Sequence, residues 1–396
     1  MKTFIYENKP TEYCYGCGAC KEICHAKAIT MVADKEGFLY PQINSAICTN
    51  CGLCEKICPT QEENIYKLFH SCPQHVNAAW NKNLADRLES TSGGIFFLLA
   101  NQCINDGGVV YGVALDEELH AKHVRISSQQ ELYCLRGSKY VQSDTQETFQ
   151  QIKQDLLSGT YVLYSGTPCQ IAGLRLFLRK DYEELITIDL VCHGVPSPYI
   201  FKEHIHYIEK KEKDKITDFK FRAKKKSGWR SYAKYIFRKR QPIYNYWGAD
   251  YFCHAFQQGY LNRKSCFTCN FSTSKRIGDI TLSDFWNAEK YSKELKRQRK
   301  YGFNLVMCNS PKGQNLFKKI DSSIECRSFP IAIAIKGDVR LRQAEPCPAF
   351  REQVYEICRN KGYDYLVKNH KRHATFIEKI VPTWSKNIIK EIQSHF

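Results

Sequence analysis

The sequence predicts two units of different class. A small α+β domain holding two iron–sulfur clusters comes first, followed by a larger α/β domain with a helical C-terminal region. Three observations carry that expectation. Cys14, Cys17, Cys20 and Cys24 form a C-x-x-C-x-x-C-x-x-x-C run that repeats, shifted by 34 residues, at Cys48, Cys51, Cys54 and Cys58. From Val76 onward, short apolar runs alternate with amphipathic stretches, as α/β units do. From Pro346 the chain reads as helical and basic.

The paired runs occupy the first domain, residues 1–62, and they are the ligand pattern of a two-cluster bacterial ferredoxin. Three sulfurs of each run bind one 4Fe-4S cubane and the fourth crosses to the other. Cys14, Cys17, Cys20 and Cys58 are therefore expected to hold one cluster, and Cys48, Cys51, Cys54 and Cys24 the second. Gly16, Gly18 and Gly52 suit a chain that wraps closely around a cluster, where φ > 0 is needed. Pro59 completes the usual Cys-Pro ending of the second run, whereas His25 stands in place of proline in the first. That change bears on the local turn or on a hydrogen bond to the cluster, and it removes no ligand. Disulfides or zinc are the bland alternatives for these cysteines.

Composition bounds the rest. With 396 residues the chain exceeds one ferredoxin unit and has room for two or three cores. No apolar run approaches the roughly 18 residues of a membrane span, and MKTFIYENKP lacks a signal-peptide core. A cytoplasmic protein without a transmembrane segment is expected. There, 20 cysteines point to metal and redox chemistry rather than disulfides. The formal charge of +17 falls to roughly +13 once two clusters of about −2 each are counted. The basic stretches at 220–230 (KFRAKKKSGWR) and 296–300 (KRQRK) read first as a solvated face. An acidic electron donor, an anionic cofactor or a membrane surface is the alternative, and no motif for nucleic acid accompanies them.

A polar connector, residues 63–75, leads into the large domain, 76–345. Strands are expected at 76–80, 108–115, 160–165, 185–191, 278–284 and 302–308. Helices are expected at 94–105, 145–157, 168–179 and 198–212, with a hairpin-like insertion at 216–240. The last segment, 346–396, is basic and helical and ends in an amphipathic stretch.

Five motifs punctuate this domain: STSGG (90–94), RGSKYVQS (136–143), YSGTPCQIAGLR (164–175), DLVCHGVPSP (189–198) and CFTCNFSTSKRIGDITLSDFW (266–286). Alone, STSGG is a Ser/Gly-rich helix start that offers free N–H groups to a phosphate, or simply a cap. Together, behind a two-cluster unit, the motifs resemble the beta-subunit family of coenzyme F-420 hydrogenases and dehydrogenases. The resemblance implies an α/β flavin-binding domain that takes FAD. It places Ser92, Gly93 and Gly94 on the flavin or its phosphates, and Gly137, Ser138, Lys139 and Tyr140 on a second flavin-facing loop. It also makes Cys169, Cys192, Cys266 and Cys269 the natural ligands of a third 4Fe-4S cluster, with buried thiols or a small zinc site as the rival reading. The remaining cysteines (Cys72, Cys103, Cys134, Cys253, Cys308, Cys326, Cys347, Cys358) have no ligand spacing and default to small buried hydrophobes.

For proton handling, His193 beside Cys192 is the catalytic candidate; Asp189 ends the same strand, and Asp279 and Asp284 flank the strand after the C-x-x-C. The function implied is an iron–sulfur flavoprotein oxidoreductase that passes electrons between clusters and FAD and exchanges hydride with coenzyme F-420 or another organic substrate. The alternative is an electron-transfer subunit feeding a partner enzyme. The expected partners are an electron donor, such as a ferredoxin or redox enzyme subunit, and a small organic molecule. Nucleic acid is not expected, and an RNA-binding module would bind no flavin.

Overall fold

The computed structural model describes residues 11–225 and 228–370; the amphipathic stretch expected within 371–396 lies outside them. The first unit is built on the cysteine repeat. Two one-turn helices, α1 (Ala19–Ile23) and α2 (Leu53–Lys56), follow the cysteine loops, and a hairpin of β1 (Ile29–Ala33) and β2 (Leu39–Ile43) lies between them. Gly16, Gly18 and Gly52 take φ of 68°, 79° and 70°, the left-handed geometry expected of them. The hairpin turn is tied by Asp34, whose carboxylate accepts the amides of Glu36 and Phe38, both at 2.9 Å. His25 sits exposed at the turn after α1. A short helix, α3 (Glu62–Tyr66), occupies the start of the connector.

The large unit is a mixed eight-stranded sheet. Its strands are β3 (His75–Asn81), β4 (Val109–Leu115), β5 (Ala121–Ile126), β6 (Val162–Gly166), β7 (Leu185–Leu190), β11 (Ile280–Asp284), β12 (Asn304–Cys308) and β13 (Ile324–Pro330), in the order β13-β3-β12-β11-β7-β6-β4-β5. Between β7 and β11 in sequence, a separate three-stranded sheet is formed by β8 (Ile216–Lys225), β9 (Gly228–Phe237) and β10 (Ile243–Tyr246). Strands β4, β6, β7 and β11 run parallel, with Val162 opposite Leu185 and Ile280 opposite Ile188. The other four attach antiparallel to their neighbours.

The central strands are apolar on both faces because helices cover both. After α4 (Leu84–Glu89), helix α5 (Ile95–Asn105) buries Ile95 and Leu99 on one face. Helices α6 (Thr148–Leu157) and α7 (Pro168–Leu178) bury Phe149, Ile171 and Leu174 on the other. Strand β6 shows the alternation: Val162 and Tyr164 face α6 and α7, and Leu163 faces α5. A third core joins α8 (Pro198–Glu212), the β8–β10 sheet and the helices Arg351–Lys361 and Tyr363–His370. The expected strands of the sheet are all present. The two not expected, β5 and β13, are its edges, where solvent on one side interleaves polar residues (AKHVRI, IECRSFP) and weakens the apolar signal. Among the described residues no helix is long and apolar enough to cross a membrane.

The two units are locked together. Phe38, at the tip of the first unit's hairpin, is fully buried in the core around α8. Beside it, Arg351 grips Glu36 with both ends of its guanidinium, at 3.1 and 2.5 Å, and both side chains are nearly inaccessible. Ser197 donates its hydroxyl to the Glu36 carbonyl. Removing Glu36 would leave the buried Arg351 only the exposed Glu352, 2.9 Å away, as an anionic partner. Glu36→Ala is therefore expected to destabilise the protein by about 3 kcal/mol, read as a lowered denaturant midpoint under anaerobic conditions.

Candidate functional site

The first eight cysteines form two groups. Cys14, Cys17, Cys20 and Cys58 surround one small cavity, and burial with the neighbouring thiols pushes Cys17 and Cys20 well up. Cys54 lies close to Cys24 and Cys51 in the second group, with Cys48 on the same loop. The fourth cysteine of the second run, Cys58, thus lies with the first group, and that of the first run, Cys24, lies beside Cys54. Backbone amides face the sulfurs: Gly16 donates to Cys14 Sγ at 3.3 Å and Ala28 to Cys24 Sγ at 3.2 Å. Such bonds favour thiolate over thiol. The two groups differ in exposure, since Cys14, Cys17 and Cys58 are buried whereas Cys51 is exposed.

A third group assembles from three separate loops. Cys169 opens α7, Cys192 follows β7, and Cys266 and Cys269 lie on the one-turn helix Lys264–Thr268 and its cap. Burial, then the adjacent thiols, raises Cys169 far above its ordinary value. Burial pushes Cys192 to about 11 and Cys266 to about 12. Without a metal these groups stay protonated, so a bound cation must displace their protons. The amides of Gly194, Val195 and Phe271 point at Cys192, Cys266 and Cys269. Arg263, Arg276 and Arg340 stand around the group.

The spacing of the sulfurs bears on what they hold. A single tetrahedral zinc with Zn–S near 2.3 Å needs sulfurs about 3.8 Å apart. Among the described residues, the only three ligand groups within 4.8 Å of one another are Asp116, Glu118 and His120. No three cysteine sulfurs among the described residues therefore lie within 4.8 Å of one another. A cubane asks for wider spacing than one ion, with one thiolate on each of four separated iron corners.

The groups built on Cys14 and Cys169 meet through α7. A Cβ at Gly173 would lie 2.9 Å from Cys17 Sγ, so only glycine permits this approach. Gly173 is four residues from Cys169, about one helical turn or 6 Å along the axis. Tyr15, the residue after Cys14, fills the space beside this bridge. Its ring packs 5.4 Å from Phe271, and its hydroxyl accepts the Asn270 amide at 3.4 Å.

On the far side of the third group lies a cavity of about 840 Å³ at the carboxyl ends of β6, β7 and β11, where open α/β sheets place ligands. Its volume is that of a cofactor-sized cleft. Cys169 and Cys192 form part of its wall, so the third group borders it directly. Ser92 and Gly94 line it, as do Gly137, Ser138, Lys139 and Tyr140. Gly93 lies behind this wall, where its Cα rests on the carbonyl of Ala79 and the amide of Asn304. The two expected loops are joined by the Ser138 amide, which donates to Thr91 Oγ1 at 2.8 Å. Gly94 at the start of α5 has no side chain to cap it; the Ile95 amide donates to Asn304 Oδ1 at 3.3 Å, and the first turn faces the cavity. Burial pushes the Lys139 ammonium down to about 8 while its Nζ donates to the carbonyls of Cys134 and Arg136.

His193 also lines the cavity, and its Nε2 is 3.2 Å from the buried carboxylate of Asp338. The three aspartates have other work. Asp189 is fully buried against Arg276 at 3.2 Å, and Asp279 accepts the amide and hydroxyl of Thr187 and the hydroxyl of Ser310. Asp284 pairs with Arg222 at 2.5 Å. Of the eight unassigned cysteines, Cys103, Cys253 and Cys358 are buried as expected, but Cys134 and Cys347 are exposed. Cys134 lies on the outer side of the short helix Glu131–Leu135, whose Leu132 and Leu135 take the core positions. Cys347 sits between two prolines in an irregular segment.

The basic stretch at 220–230 is not simply a solvated face. Phe219, Phe221 and Ala223 point into the α8 core, and the alternate residues Arg222 and Lys224 turn toward the cavity loops. Lys224 Nζ donates to the carbonyls of Arg87 and Ser92, and Trp229 Nε1 to that of Thr91 at 2.8 Å. A continuous run of charge masks the strand alternation that turns Arg222 and Lys224 toward the cavity loops.

Two family models match separate parts of the chain. Residues 13–61 match the family model of the 4Fe-4S dicluster domain. Residues 159–331 match the family model for the C terminus of the coenzyme F420 hydrogenase/dehydrogenase beta subunit. No curated protein matches the chain. Among solved structures, a chain of the F420-reducing NiFe hydrogenase complex from Methanosarcina barkeri is similar at 13% identity and a TM-score of 0.45, covering 75% of this chain and 96% of that one. That likeness is too loose to transfer the role of any residue.

The Gly173 contact gives a direct expectation. Gly173→Val would drive a branched side chain into Cys17 Sγ, and anaerobically prepared variant should lose the roughly four iron atoms of one cubane, measured by iron and acid-labile sulfide content.

Proposed function

We propose that this chain, an iron–sulfur electron-transfer protein of the oxidoreductase type that joins a 4Fe-4S dicluster domain to a coenzyme F420 hydrogenase/dehydrogenase beta-subunit domain, is a flavoprotein enzyme with three clusters. One observation carries the reading: Cys169, Cys192, Cys266 and Cys269 converge between the buried ferredoxin group and the cavity wall. When bound, the 4Fe-4S clusters supply single-electron transfer and FAD exchanges hydride with coenzyme F-420 or another organic substrate.

The chain's own residues then divide the work. The exposed Cys51 loop offers the point of approach for an electron donor, such as a ferredoxin or redox enzyme subunit. The Gly173 contact keeps the next two cysteine groups about one helical turn apart. At the cavity, the first turn of α5, the Gly137–Ser138 loop and Lys139 receive the anionic parts of FAD. Ser92, Gly94 and Tyr140 shape the wall beside them. His193, oriented by Asp338, holds or releases a proton at a ring nitrogen facing the cavity. A pure relay to a partner enzyme would leave the cavity without an organic ligand.

Anaerobically prepared protein should carry about twelve iron atoms and show resolved flavin bands over the cluster absorption. About eight iron atoms would remove the third cluster, and absence of flavin would remove the flavoprotein. After reduction, reoxidation by a small organic molecule supports the enzyme, whereas reoxidation only by a partner protein favours the relay.

Lys139 adds a pH dependence with a defined sign. An anion beside it raises its lowered ammonium pKa again, so binding takes up a proton. FAD affinity, followed by fluorescence quenching, should be full below about pH 8. It should fall as pH rises from there toward the ordinary lysine range. Lys139→Met should weaken binding and flatten that profile.

A further inference from the structure

Arg263 is completely buried, yet it has no carboxylate partner among the described residues. Its Nε donates to the Cys14 carbonyl at 2.7 Å, one Nη to Gln142 Oε1 at 3.0 Å and the other to the Leu39 carbonyl at 3.0 Å. The rings of Tyr40 and Phe38 lie 4.0 and 5.4 Å from the guanidinium carbon. Carbonyl dipoles and ring faces solvate a cation but leave its full charge in place. The other two arginines near the third cysteine group are neutralised, Arg276 by Asp189 at 3.2 Å and Arg340 by Glu345 at 2.8 Å. A full positive charge buried without an anion is costly in any fold.

The position of Arg263 supplies the missing anions. Its side chain holds the main chain of Cys14, in the first ferredoxin group. Its own carbonyl accepts the amide of Cys266, in the third group, at 3.0 Å. A Cβ on Gly16 would stand 2.9 Å from its Nη1, so the cysteine loop closes directly over the charge. One guanidinium therefore lies between two sets of four thiols.

We propose that Arg263 is the shared buried counter-ion of these two cysteine groups and raises the reduction potential of the cluster in each. The inference rests on the three-cluster reading. An oxidised cubane with its four thiolates carries about −2, and gaining one electron takes it to about −3 with no proton transferred and no bond broken. The electron comes from a low-potential one-electron donor, dithionite in the experiment. A fixed cation close to both groups favours the more negative form in each. The second ferredoxin group, on the outer loop with Cys51, feels it least. Arg263 is a positioning residue: it acts through the clusters and touches no substrate.

The test compares wild type with Arg263→Gln and Arg263→Lys in anaerobically prepared full-length protein, titrated with dithionite and followed by electron paramagnetic resonance. In Arg263→Gln, with iron unchanged, two of the three midpoints should move to lower potential and the third should stay. Arg263→Lys, which keeps the charge, should return both toward wild type. Unshifted midpoints at full iron content would overturn the proposal, as would an equal shift of all three. Loss of iron from either variant would also count against it, since that marks a structural clamp. Only about eight iron atoms in wild type would instead overturn the three-cluster reading beneath it.

Discussion

The arrangement depends on one close approach, Cys17 of the small unit against Gly173 of α7. An electron crosses protein efficiently only over short gaps, and a domain boundary is where gaps tend to open. Here the boundary is closed by removing a side chain from the helix that carries Cys169. The same contact needs the small unit to be held without play. Its hairpin tip, with Phe38 in the α8 core and Glu36 clamped by Arg351, supplies that rigidity from the opposite end. Tyr15 and Arg263 fill the seam between these anchors. The small unit is thus a fixed part of the site rather than a tethered carrier.

The cavity shows a second constraint, because its walls come from distant parts of the chain. Loops after β6, β7 and β11 supply one side, as a parallel sheet with helices on both faces would. The other side requires the β8–β10 sheet, which reaches back so that Trp229 and Lys224 bond the main chain of residues 91 and 92. Trp229 and Trp286 stack at 5.4 Å and 16°, and Arg222 lies beside both rings. The insertion is therefore a structural wall of the cleft. Its aromatic and cationic residues reach the cleft because strand alternation commits Phe219, Phe221 and Ala223 to the core beneath.

Much of this was legible in the sequence, for definite reasons. Cysteine spacing brings residues together in a regular way, so the approach of Cys58 to the Cys14 loop and of Cys24 to Cys54 has a local signal. Strands buried on both faces, such as β6 and β7, announce themselves as apolar runs. The residues that stayed hidden are those whose role depends on what lies opposite. Arg263 stands three residues before Cys266, but nothing local shows that it reaches the Cys14 carbonyl, 249 residues away in sequence. Asp189 and Asp279 looked like proton carriers because they end or flank strands near His193. Their partners, Arg276, Thr187 and Ser310, show them holding β7, β11 and the start of the helix Pro311–Lys319 together. Gly93 reads like its neighbours in STSGG, yet it serves the packing of β3 and β12.

The basic balance of the chain also takes a different meaning inside the fold. Arg87, Arg263, Arg276, Arg340 and Arg351 are all at most 3% exposed. Three of them are neutralised by carboxylates. Arg87, Arg263 and Lys224 instead rest on main-chain carbonyls and side-chain amides. Buried cations satisfied only by dipoles retain their field, and that field attracts negative charge from whatever occupies the space beside them. For Arg263 that space is between two four-cysteine groups; Lys224 instead holds the loop carrying Ser92, and Arg87 the turn of Gln298 and Gly302. At Arg263 the interior excess of positive charge thus coincides with a place where this fold has room for anionic groups.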